Sequence, residues 1–126
     1  MPTKQETFDT VARHLLTQRR VALNDQGTCA YRGVDETKCA AGVLIPDEEY
    51  LPDFECKAVA IAGNFADAPR PTDVGRVIQR LGHDLTLVRS LQKIHDSLRV
   101  CEWGAALRAL ADEMDLDPAV VRELRP

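Results

Sequence analysis

Thr3 with Glu6 three residues later matches a capping box, and Phe8, Val11, Ala12, Leu15 and Leu16 then follow the i, i+3, i+4, i+7, i+8 spacing of an amphipathic helix. The pattern predicts a helix from about Lys4 to Arg20, ended by the turn residues Asn24-Asp25-Gln26-Gly27. Thr28 to Pro46 reads differently. Two short segments flank a Gly33-Val34-Asp35-Glu36 tip, and the second closes in the β-branched run before Pro46, which predicts a β-hairpin with Cys29 and Cys39 close in space. Pro46 followed by Asp47, Glu48 and Glu49 predicts a single helical turn ended by Pro52. Between Asp53 and Pro71 the pattern weakens, with Glu55 to Ile61 able to form a short helix and Gly63, Asn64, Pro69 and Pro71 marking loop.

Apolar periodicity returns at Thr72, which caps a helix to about Leu81 with Val74, Val77, Ile78 and Leu81 on one face, closed by Gly82. Leu87, Val88, Leu91, Ile94 and Leu98 form one stripe between His83 and Leu98, and after a break near Val100 a longer stripe runs from Trp103 to Met114. Asp117-Pro118 then starts a last short helix, Ala119 to Leu124. The expected fold is mainly α (α+β): a single domain over 1–126, with about four to five bundled helices and one small hairpin after the first.

Composition narrows the function classes. No run of about 18 apolar residues exists, and MPTKQETFDT has no apolar signal stretch, so a cytoplasmic protein with no membrane partner is expected. A net charge of −4 argues against nucleic-acid binding by bulk charge. The four cysteines form no C-x-x-C pair, so reduced thiols and no disulfide framework are expected.

Three kinds of chemistry can be drawn on these residues. A zinc site would draw on Cys29 and Cys39 with Cys56, Cys101, His14, His83 or His95, but no ligand spacing is diagnostic, so no metal or cofactor is expected. Nucleophilic catalysis by Cys29 or Cys39 with His95 as base needs a geometry that spacing does not supply, and the chain is read as a non-enzyme. The alternative is two small apolar residues packing the hairpin, with His95 hydrogen-bonded to backbone. Leu110 to Leu124 is similar to a helix-turn-helix. Yet residues 101–126 carry six acids against Arg108, Arg122 and Arg125, and Asp115 stands where glycine is common at the turn. Basic residues instead gather between Arg70 and Arg99, opposite an acidic Asp35–Glu55 stretch, and the two either pair with each other or present a bipolar docking surface.

Cys29-Ala-Tyr-Arg-Gly33 followed by Lys38-Cys-Ala-Ala-Gly-Val-Leu-Ile-Pro-Asp-Glu-Glu-Tyr50 resembles a family of small proteins from bacteriophages, prophages and their hosts. The resemblance extends to His14-Leu15-Leu16-Thr17-Gln18, to Leu91-Gln92-Lys93-Ile94-His95-Asp96 and to Trp103. Family members often have glycine near Asp35-Glu36, so a wider hairpin tip is expected here. The resemblance implies an origin rather than a mechanism: a phage accessory protein in a bacterial host cytoplasm, a class that often inhibits or adapts host proteins, anti-CRISPR proteins among them. The expected partner is a host protein or complex, with a homodimer left open. The expected contact residues are Tyr31, Arg32, Lys38, Asp47, Glu48, Glu49 and Tyr50, since Tyr and Arg are favoured interface anchors. Arg32 pairing internally with Asp47 or Glu48 is the alternative.

Overall fold

The computed structural model describes residues 2–55, 57–61 and 70–124. Six helices carry it: α1 (Lys4–Gln18), α2 (Ala40–Val43), α3 (Asp73–Arg80), α4 (Leu85–Ser97), α5 (Val100–Glu113) and α6 (Ala119–Glu123). Local capping chemistry sets most starts. Thr3 and Glu6 form the capping box of α1, the Thr72 side chain accepts from Gly75 N–H, and Asp84 accepts from Leu87 N–H at 2.8 Å. Asp84 therefore ends the non-helical approach, and α4 begins at Leu85 rather than at His83. Asp117 likewise accepts the Ala119 N–H at 3.0 Å, and α6 starts there.

The central helix is α4, which packs against α1, α2, α3 and α5. Leu87, Val88, Leu91, Ile94 and His95 of α4 are buried against Phe8, Val11, Ala12 and Leu15 of α1 and Trp103 and Leu107 of α5, within one contiguous core. Each fully buried Leu or Val there contributes on the order of 1.5–3 kcal/mol. Trp103 is wholly buried, stacks on the His95 ring at 5.6 Å and donates its indole N–H to the Leu98 carbonyl at 3.3 Å.

The expected hairpin is corrected. Thr28 to Pro46 reverses on a tight turn, with Gly33 N–H donating to Thr37 O at 2.9 Å, but pairing amounts to a single Arg32–Lys38 bridge. The second arm then becomes α2. Cys39 Sγ accepts the Gly42 N–H at 3.2 Å as a helix cap, and a Cβ on Gly42 would lie 2.1 Å from the Tyr31 carbonyl oxygen. That close approach makes the segment a helical turn against Tyr31 and removes it from strand geometry. At the tip Asp35 and Glu36 adopt φ of 57° and 62°, the left-handed region that glycine would enter freely.

A single 3-10 turn occupies Asp47–Glu49, as the Pro-plus-acids pattern predicts, and a second occupies Pro52–Phe54. Residues 57–61 are not helical; β1 (Ala60–Ile61) pairs antiparallel with β2 (Arg70–Pro71). The expected loop features Gly63, Asn64 and Pro69, and the thiol of Cys56, lie outside the described residues. No helix among the described residues is long and apolar enough to cross a membrane.

Candidate functional site

The expected contact residues gather on one strip, held by an internal network. Arg32 Nη1 lies 2.5 Å from Asp47 Oδ1, Nη2 donates to the Ile45 carbonyl at 2.9 Å, and the guanidinium sits 4.5 Å over the Tyr50 ring. Tyr50 donates its hydroxyl to Glu55 Oε2 at 2.6 Å and meets the Phe54 ring edge-on at 6.3 Å. Burial and that Glu55 bond push the Tyr50 phenol up to about 12. Glu55 organises the strip, because it also accepts the backbone N–H groups of Tyr31 at 2.8 Å and Arg32 at 3.2 Å. Lys38 Nζ reaches Asp47 at 4.0 Å, while its carbonyl accepts from His14 Nε2 at 2.8 Å.

Exposure divides these residues. Tyr31 is buried with its hydroxyl on the Lys57 carbonyl, so it supports the strip from below. Glu49 pairs with Arg80 of α3 at 2.5 Å, so the acidic and basic stretches do meet, at one point. Asp47 and Glu48 face solvent. Beside them stands Leu51, 55 % exposed, which with Val34 at 43 % makes the pair of exposed large hydrophobics among the described residues. Leu51 was invisible to periodicity because it lies between two turns and belongs to no stripe.

Adjoining the strip at Tyr31 and Glu55, one face of α4 and the segments 29–31 and 57–59 line a cleft of about 420 Å³. Ligating atoms of Cys29, His95 and Asp96 lie within 4.8 Å of one another. The Leu-Gln-x-x-His-Asp spacing signals part of this, since Gln92 and Asp96 are one turn apart. Gln92 accepts the Ala41 N–H at 2.9 Å and donates to Asp96 Oδ1 at 2.8 Å, tying α2 to α4.

The bonding of His95 limits what this cluster can do. Nε2 accepts the Ala22 backbone N–H at 2.9 Å, so Nδ1 carries the proton and donates it to Asp96 Oδ1 at 2.7 Å. A base must have a free lone pair, and the lone pair of this imidazole is occupied. A metal at Nδ1 would require an imidazolate, because Nε2 cannot be protonated while it faces an N–H donor. The Cys29 thiol is held protonated: burial pushes its pKa up, and the negative charge of the nearby Asp96 carboxylate pushes it further. Cys39 is more deeply buried, with its thiol raised to about 12 by that burial. The thiol–imidazole–carboxylate cluster is thus arranged as structural wiring, the satisfied-histidine alternative.

At the C-terminus α6 is five residues long and docks on α1, with Val120 and Val121 buried and Arg13 3.3 Å from Glu123. Its outward residues Ala119, Arg122 and Glu123 sum to zero charge, a poor surface for phosphate. No family model matches the chain, and no curated protein or solved structure matches it, so function is read from this geometry.

Proposed function

We propose that the protein acts by protein–protein contact, as an inhibitor or adaptor that docks a basic surface of a host protein. The observation that carries this reading is Leu51, more than half exposed and flanked by Asp47, Glu48 and Asp53. An exposed apolar residue in an acidic segment is what a positively charged partner surface with an apolar pocket would accept. The anchor is also held rigid. Two proline-started turns bracket it, and the Arg32–Asp47–Tyr50–Glu55 network fixes both, so little conformational entropy is lost on docking. Tyr31, Arg32, Lys38 and Tyr50 serve as the support, and Glu48, Leu51 and Asp53 as the contact. The resemblance to phage proteins supports the host-directed form of this reading, anti-defence activity such as CRISPR inhibition included.

The test compares capture from a bacterial lysate by the unsubstituted protein, Leu51→Asp and Glu48→Lys, alongside thermal melting. A discrete protein retained by the first and lost by both variants, at unchanged melting, supports the docking strip. Equal retention by all three, or retention by none, overturns it.

A further inference from the structure

The 420 Å³ cleft on α4 has the size of a small-metabolite site. Arg89, Gln92, Lys93, Asp96 and Ser97 line it at i, i+3, i+4, i+7 and i+8, a wholly polar stripe on a helix whose other face is core. Charge in the cleft is unequally engaged. Asp96 accepts from His95 and Gln92, and Glu55 accepts from Tyr31, Arg32 and Tyr50, so protein donors already engage both carboxylates. The cations differ. Arg89 and Lys93 have no carboxylate within 4.0 Å among the described residues, and Lys57 reaches only Asp73, at 3.7 Å. The charge left to meet a ligand is positive, in a chain whose net charge is −4.

We infer that this cleft binds a small organic anion, its phosphate or carboxylate head held by Arg89 and Lys93 with Lys57 on the opposite wall. The planar guanidinium of Arg89 suits a bidentate oxyanion contact, and Lys93 adds a point charge one turn further on. A polymeric phosphate backbone fits less well. Arg76, Arg80 and Arg99 each have a carboxylate within 3.9, 2.5 and 3.4 Å, so among the described residues these three cations do not extend the cleft's charge into an unpaired track. The cleft shares Tyr31 and Glu55 with the docking strip but none of the proposed contact residues Glu48, Leu51 and Asp53, so the two readings can fail separately.

The experiment is a ¹⁵N NMR titration of the full chain with inorganic phosphate, ribose 5-phosphate and succinate at millimolar concentrations. Saturable shifts are expected in the amides of 29–31, 57–59 and 89–97, and the tighter head group distinguishes phosphate from carboxylate. Arg89→Gln with Lys93→Gln should weaken binding by at least about tenfold, while Arg76→Gln should leave it unchanged. In parallel, the saturating anion should slow alkylation of Cys29 and leave that of the exposed Cys101 unaffected. No saturable shift with any probe, shifts confined elsewhere, or an affinity unmoved by the double substitution overturns the site. So does tighter binding of a short single-stranded oligonucleotide through the same residues. Should the double variant not melt cooperatively, Cys29 protection in the unsubstituted protein decides: protection supports the site and its absence overturns it.

Discussion

The backbone N–H of Ala22 donates to His95 Nε2 at 2.9 Å across 73 positions of the chain, and that one bond assigns the proton on the imidazole. With Nδ1–H committed to Asp96, His95 is a cross-brace between the Val21–Leu23 segment and α4. Zinc added to the reduced protein is therefore expected to leave the melting temperature unchanged. One tightly held equivalent, lost in Cys29→Ser or Asp96→Asn, would show that the Ala22 bond yields to a metal.

Trp103 lies against His95 with no exposed surface, so truncation removes both a core volume and the stacking partner of the brace. Trp103→Ala is expected to destabilise by roughly 3–5 kcal/mol. Denaturant melts check this, and a loss below about 1 kcal/mol would mean that the core closes over the gap.

Glycine positions separate by space and by φ. Gly42→Ala is expected to destabilise by about 2 kcal/mol or more, because its new Cβ would meet the Tyr31 carbonyl at 2.1 Å. Gly104→Ala should stabilise by about 0.5–1 kcal/mol, because nothing lies within 4 Å and α5 gains a better helix former. Glu36→Gly should also stabilise, by about 1 kcal/mol, relieving the left-handed backbone at φ 62°. Thermal melts of the three variants should split in those directions, and a common sign would contradict the backbone reading.

Burial holds the pKa values of His14 and His83 below their ordinary 6.5. The folded state thus favours the neutral rings, and below about pH 6.5 the unfolded chain binds protons that the folded one resists. Their contribution is present above that pH and is lost as pH falls through the lowered folded values. Stability measured from about pH 7.5 down to 5 should fall, and the slope should flatten in His14→Gln with His83→Gln. An unchanged slope would place the acid sensitivity on the carboxylates.

Much of the helical frame was legible in the sequence because its causes are local. The Thr3–Glu6 box, the Thr72 cap and the stripes through Leu87 and Trp103 act within a turn or two of themselves. So does the Pro46-Asp-Glu-Glu turn. What only the tertiary structure decided depends on groups far apart in sequence. The β-branched run before Pro46 suggests a strand, yet Ala40–Val43 is helical, where Gly42 passes close to the Tyr31 carbonyl and Gln92 takes the Ala41 N–H. Cys29 and His95 are residues that spacing could only list as a possible thiol–base pair. Their meeting at Asp96, and the Ala22 bond that withholds the imidazole lone pair from Cys29, follow from how α1, α2 and α4 pack. The acidic strip divides in the same way. Its acidity is written in Asp47-Glu48-Glu49, whereas the burial of Tyr31 and the exposure of Leu51 are set in a fold where Glu55 gathers the backbone of one segment and the hydroxyl of another. Periodicity records which face of an element seeks the core, and carries no record of which distant polar group will satisfy which donor.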